Sequence, residues 1–305
     1  MENAICEIQA ALEAIERDDA LHNDLSFGRR LEAQDVVEAG ILPRVKDLLA
    51  AHGQAQDLVA LQQRAESLKS RLEECDENLF RKLRTGIRSG NYRGAELRRQ
   101  LETYAGTGRG KRSQGRGAYD SLDALLSGIL LAEAAPEAVM ARESEMVFYQ
   151  PTPARIIFEL VERAGLQPHD TFYDLGSGLG QVVILANLLS GATAKGIEID
   201  PAYCEYARRC AQDLNLSDVE FINVDAREAK YADGTVFFLY TPFEGRMLQQ
   251  VLDRLELVAE TRRIALYTYG PCTWQVSRQP WLESVGLGAY HVYSLAAFES
   301  VCGHD

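Results

Sequence analysis

The 305-residue sequence has no Cys-x-x-Cys pair; its six cysteines, Cys6, Cys75, Cys204, Cys210, Cys272 and Cys302, are scattered. That spacing excludes a zinc ribbon, a redox dithiol and a disulfide framework, so no metal is expected and the thiols are expected to be reduced and packed. No apolar run approaches the roughly 18 residues that suggest a membrane span. Met1-Glu2-Asn3-Ala4-Ile5 lacks the basic and apolar regions of a secretory signal, and a cytoplasmic location is expected. The composition of a disordered chain is absent too. With 46% hydrophobic and 25% charged residues, the chain has room for two sizeable cores.

The net charge of −13 hides an asymmetry. Residues 79–117 hold eleven Lys/Arg against two acids, a balance of +9, leaving −22 for the rest. Within that segment lies a Gly/Arg-rich loop near 105–118 carrying Arg109, Lys111, Arg112 and Arg116. Two readings stand for it. It captures an acidic partner, with Tyr92, Tyr104 and Tyr119 available to stack, or it is a solvated loop that pairs with surrounding acids. No nucleic-acid fold signature accompanies it.

The N-terminal half is helical text. Ile5, Ile8, Leu12 and Ile15 mark one amphipathic face. A second helix is expected over about 31–49, interrupted near Gly40 and Pro43 and capped by Gly53. Leu58, Leu61, Ala65, Leu68, Leu72, Cys75 and Leu79 then step alternately by three and four, the repeat of a coiled-coil seam. This helix of about 57–83 either packs within a bundle of its own chain, which Ala65 and Cys75 favour by weakening the seam, or joins two chains as a homodimer. A break is expected after Leu83, followed by helices around 95–104 and 122–130, the latter N-capped by Asp120, and a short one from Pro136. The boundary between an all-helical domain of 1–145 and a second domain of 146–305 falls where helical text gives way to Phe148-Tyr149-Gln150-Pro151.

Beyond that boundary strand and helix text alternate, predicting an α/β fold with a parallel sheet. Strands are expected near 171–175, 194–199, 219–224, 235–240 and 263–269, and the tail of 289–301 has the composition to close the sheet. The first strand runs into Asp174-Leu175-Gly176-Ser177-Gly178-Leu179-Gly180-Gln181, where glycines let the backbone approach a ligand. The spacing is GxGxG rather than the GxGxxG of dinucleotide sites, which turns the expectation from NAD to S-adenosylmethionine.

Polar residues stand at the carboxyl ends of successive strands, where open α/β sheets bind ligands. Glu198, 18 residues past Gly180, suits the ribose hydroxyls. Asp225 suits the adenine amino group, with Ala226 leaving room for the ring, or else caps the next helix. Asp174 faces the methionine end and its ammonium. Asp200, beside Pro201, reads as a cap.

Over 148–301 the chain resembles class I S-adenosylmethionine-dependent methyltransferases, and residues 174–183 resemble the motif of the non-SET nucleosomal histone-lysine methyltransferases. Gln150-Pro151-Thr152 resembles that family's threonine-bearing loop over the cofactor. The resemblance implies a Rossmann-like seven-stranded methyltransferase sheet, and cofactor contacts from Thr152, Asp174, Gly176, Gln181, Glu198 and Asp225, with Gly178 and Gly180 completing the turn. Where that family carries Asn-Asn-Phe after strand four, this chain has Tyr240-Thr241-Pro242-Phe243, which also resembles a variant of the Asn-Pro-Pro-Tyr/Phe loop of amino-group methyltransferases. Tyr240, Thr241 and Phe243 are expected to wall the methyl acceptor, Phe243 alternatively serving as helix-entry packing, and Tyr149 to cover the cofactor. The reading is methyl transfer to an unidentified acceptor, a protein lysine or other amine among the options; the alternative is a silent cofactor-binding scaffold.

Overall fold

The computed structural model describes residues 2–53, 55–106, 119–130, 134–286 and 291–301. They form two compact units, one built mainly from Met1–Thr85, the other mainly from Leu130–Asp305.

In the first unit the amphipathic text becomes α1 (Glu2–Glu16), α2 (Phe27–Asp35), α3 (Leu42–His52) and the long α4 (Gln56–Arg88). The expected interruption near Gly40 and Pro43 is a single π-helical turn, Val36–Ile41. Pro43 has no N–H to give and its ring crowds the carbonyl four residues back, so the α ladder changes register there without breaking. The heptad leucines of α4 are buried; Leu61, Ala65, Leu68 and Leu72 share one core with Ile8, Leu12, Val37, Ile41 and Val45. The seam is covered by the chain's own helices. Across it, the buried Arg30 guanidinium meets Asp76 at 2.6 Å and also donates to the carbonyls of Leu21 and Asn23, while Gln34 donates to the second Asp76 oxygen.

Two helix expectations are corrected. The break after Leu83 does not occur, and α4 runs through Gly86 to Arg88, because the Tyr92 ring packs on the bare Cα of Gly86, where a Cβ would lie 2.2 Å from it. The short helix from Pro136 is also absent, residues 134–139 having no regular structure. The N–H groups of Val139 and Met140 donate to Asp200 Oδ2, both at 2.8 Å, so a tertiary carboxylate takes the donors a helix would have used. Helices α5 (Gly94–Ala105) and α6 (Ser121–Leu130) match the sequence expectation. Asp120 accepts from the Leu122 N–H while Asp123 accepts from the Asp120 N–H, a reciprocal cap.

The basic segment is largely engaged where it is described. Lys82 pairs with Asp24, Arg84 with the carbonyls of Gly128 and Ile129, Arg88 with the Asp213 carbonyl, Arg93 with Asn187, and Arg98 with Glu162. Arg109, Lys111, Arg112 and Arg116 lie outside the described residues.

The second unit follows α7 (Ala154–Ala164) with β1 (Thr171–Leu175), α8 (Gln181–Ser190), β2 (Thr193–Glu198), α9 (Pro201–Asp213), β3 (Val219–Asn223), β4 (Val236–Leu239), α10 (Gly245–Ala259) and β5 (Ala265–Thr268). A short α11 (Thr273–Val276), β6 (Leu282–Ser284) and β7 (Ala296–Ser300) complete it. The seven strands are ordered β3-β2-β1-β4-β5-β7-β6, with β7 antiparallel to both neighbours and the other pairings parallel. The tail thus supplies β7 as expected; the three-residue β6 carries too little pattern to be foreseen. All of β4 is buried, as its apolar run predicts for a strand covered on both faces. Chain order reverses between β2-β1 and β4, which opens a crevice at the carboxyl end of β1. Among the described residues no helix is long and apolar enough to cross a membrane, and no cluster of His, Cys, Asp and Glu could hold a metal.

Candidate cofactor and acceptor site

A cavity of about 440 Å³ occupies that crevice. Its floor is the glycine turn after β1. Gly178 has φ +51°, and a Cβ there would lie 2.3 Å from the Tyr149 ring, so this glycine lets the aromatic lie on the turn. Gly176, at φ +83°, meets Pro242 in the same way. Gly180 acts differently: it does not line the cavity, and a Cβ on it would meet Phe221 at 2.5 Å and Ala207 at 2.8 Å, so it seats α8 against the sheet. Four of the turn's own N–H groups are taken. Gly176 and Ser177 donate to the Ile197 carbonyl, Gly178 to Glu198 and Gly180 to the Ser177 carbonyl. A pyrophosphate needs such donors free, and here they close the turn instead.

The cavity offers acceptors in their place. Asp174 is 3% exposed and, among the described residues, its carboxylate receives no hydrogen bond; burial, then the nearby Glu198, pushes its pKa up to about 8. Gln181, in the first turn of α8, has a buried Oε1 without a partner among the described residues. Two unsatisfied acceptors on one cavity wall fit an ammonium. Glu198 ends β2 and accepts from Gly178 and Asp200 N–H groups, both at 2.8 Å, which orient its carboxylate; burial raises its pKa against those bonds. Asp200 is a cap, as expected, its Oδ1 accepting from Ala202 and Tyr203.

Asp225 and Ala226 line the cavity beyond β3, and Asp225 is already paired with Arg227, which holds its pKa below the ordinary carboxylate value. Thr152 is buried at the opposite wall.

The roof is residues 138–150, of which sequence reading expected Tyr149 and Gln150 and missed 138–148. It has no periodicity, and apart from a local bond from the Met146 N–H to the Glu143 carbonyl it is placed mainly by tertiary bonds. Val139 and Met140 hang from Asp200, Glu143 pairs with Arg227, Glu145 accepts from the Met247 N–H, and Val147 donates to the Pro242 carbonyl. Met146 forms a β-bridge with Phe243, and the Tyr149 ring meets Tyr203 edge-on at 5.6 Å.

Tyr240, Thr241, Pro242 and Phe243 line the end of the cavity beyond β4. The Tyr240 and Tyr269 rings lie 4.8 Å apart, and burial, with Tyr119, Tyr269 and Tyr293 nearby, raises the Tyr240 pKa above that of a free phenol. Thr241 sits at φ +40°, rare for a β-branched residue; its hydroxyl donates to the Tyr269 carbonyl and accepts from the Cys272 N–H, which holds the turn. Phe243 is buried in the sheet core while also facing the cavity. None of these four residues is a carboxylate, imidazole or amine. Twelve of the thirteen residues expected from sequence line the one cavity, Gly180 being the exception.

This sheet order, with its antiparallel strand inserted last and acids at the ends of β1, β2 and β3, defines a class I methyltransferase fold. Residues 142–239 match the family model of the histone methylation protein DOT1, a match that supports an S-adenosylmethionine-dependent methyltransferase domain. No curated protein matches it. Similar solved structures include an RNA methyltransferase from Salinibacter ruber with S-adenosyl-L-homocysteine, at 26% identity over 51% of this chain and 96% of that one, TM-score 0.39. Methyltransferases from Thiobacillus denitrificans (20% identity, 39% of this chain, 50% of that one, TM-score 0.33) and Geobacter sulfurreducens (24%, 41%, 53%, 0.33) carry the same ligand. This chain spans about half the length of the latter two.

Proposed function

We propose that the chain methylates a nitrogen that needs no base from the enzyme, a protein lysine or another amine. One observation carries this: Tyr240, Thr241, Pro242 and Phe243, the described residues that line the cavity beyond β4, include no carboxylate, imidazole or amine. A hydroxyl or an acidic carbon would need a base there; an amine already neutral carries its own lone pair. When bound, S-adenosylmethionine supplies a methyl carbon on a cationic sulfur. The chain's residues bind, orient and dry the reactants. Asp174 and Gln181 receive the ammonium, Glu198 the ribose hydroxyls and Asp225 the adenine amino group. Tyr149 and Thr152 close over the ligand, and the glycine turn lets it approach the backbone. The aromatic wall desolvates the acceptor, which favours the neutral amine, and holds it in line for displacement. The match to a histone methylation family supports a lysine amine among the candidates.

The helical N-terminal part of the chain is assigned to acceptor capture, with Arg109, Lys111, Arg112 and Arg116 receiving an acidic partner. A homodimer through residues 57–83 would have to use a face other than the buried heptad seam. The described cysteines are free thiols, which suits a cytoplasmic location. Incubating the chain with labelled methyl donor and a cell lysate tests the reading. Label in protein or small amines, stable to base, is expected; label confined to base-labile esters, or no turnover, would overturn it.

A further inference from the structure

Asp225 is engaged before an adenine reaches it. The Arg227 N–H donates to Oδ1 at 2.8 Å, its Nε is shared between both oxygens at 3.0 Å, and its Nη2 donates to Oδ2 at 2.6 Å. The same guanidinium reaches up to the cavity roof, Nη2 donating to Glu143 Oε1 at 2.6 Å and Nη1 to Oε2 at 3.4 Å. Glu143 and Asp225 both line the cavity. A carboxylate has about four acceptor directions, and the three Arg227 donors take three, leaving one for a ligand. The planar fork of an arginine fixes a carboxylate's orientation in a way a point charge does not.

We propose that Arg227 is a positioning residue for the adenine end of the cofactor: it holds Asp225 with one acceptor direction open, ties the roof to the same carboxylate through Glu143, and so makes the site select a 6-aminopurine over a 6-oxopurine. The inference rests on the reading of Asp225 as the acceptor for the adenine amino group. A 6-oxo group would set an acceptor against an acceptor at that point. A mobile Asp225 could turn away from the clash; one held by Arg227 cannot.

Calorimetric titration of the full chain with S-adenosylhomocysteine and with its deaminated analogue S-inosylhomocysteine tests this, with thermal melts as the control for folding. The wild type is expected to prefer the adenosyl ligand by about tenfold or more. Arg227→Met is expected to bring that preference to within about threefold. Arg227→Lys, which keeps the charge without the fork and carries the comparison if the Met variant folds poorly, is expected to lie between. Glu143→Ala cuts only the roof link and is expected to weaken both ligands equally, leaving the preference intact. A wild-type preference retained in both Arg227 variants would overturn the proposal and leave Asp225 as the adenine acceptor. Equal binding of the two ligands by the wild type would instead remove Asp225 from adenine recognition, and the proposal with it.

Discussion

Replacing Asp174 with Asn separates the two things this carboxyl does, because they have opposite signs. In the free protein it is buried with no donor among the described residues, and burial pushes its pKa up to about 8. The unfolded value is about 4, so the group's stabilising contribution is complete below about pH 4 and is lost as the pH rises towards 8. At pH 7 keeping an ionisable group there costs up to about 4 kcal/mol relative to the unfolded chain. An amide has no such penalty, and after its own desolvation is set against the gain, Asp174→Asn is expected to stabilise the free protein by about 1–3 kcal/mol. Ligand binding should move the other way. A hydrogen bond between charged partners contributes about 1.5–3 kcal/mol, so S-adenosylhomocysteine affinity should fall roughly 10- to 150-fold. The pH dependence supplies a third readout. With a pKa near 8, Asp174 is about 1% ionised at pH 6 and about half ionised at pH 8, so wild-type affinity should rise about 50-fold across that range. Thermal melts and calorimetry at pH 6, 7 and 8 check all three. A variant that melts lower than wild type and keeps the pH slope would refute the reasoning.

Gly178→Ala should lower S-adenosylhomocysteine affinity by at least about tenfold with modest change in melting temperature, because its Cβ displaces Tyr149 from the turn. Gly180→Ala should instead destabilise by about 1–3 kcal/mol in urea melts, its Cβ meeting Phe221 and Ala207 in packed structure. If Tyr240 is a wall and not an acid or base, Tyr240→Phe should keep turnover within about threefold while Tyr240→Ala loses about 100-fold, as single-turnover rates would show. Asp76→Ala leaves the Arg30 guanidinium buried and unpaired, so it should cost about 3–5 kcal/mol in denaturant melts. Arg30→Met combined with Asp76→Leu should recover most of that.

The local features of this protein were legible in its sequence because they are carried by near neighbours. The step of three and four along Leu58 to Leu79 reports a buried helix face, and the glycine turn after Thr171–Leu175 reports a strand entering a helix. The acids at strand ends follow from the alternation of strand and helix, which needs no knowledge of the fold beyond its class. Periodicity reports that a face is buried, but it does not name what covers it. Whether the α4 seam met its own chain or another copy was therefore decided only by packing with Ile8, Leu12 and Val45.

Tertiary structure likewise decided the roof of the cavity. Residues 138–150 have no repeat to read, since the Val139 and Met140 N–H groups go to Asp200, that of Val147 to Pro242, and the Glu143 and Glu145 carboxylates to Arg227 and Met247, some 60 to 100 positions away. The partner that holds Asp225 is Arg227, only two residues on, but no repeat marks the pairing; contact with Phe221, about 40 positions away, makes Gly180 a packing residue. The sequence by itself determined the class of fold and the donor side of the reaction, because short motifs encode a turn and the acids beside it. The acceptor wall and the cavity roof depended on long-range contacts, which exist only once the sheet has brought the ends of β1 to β5 together.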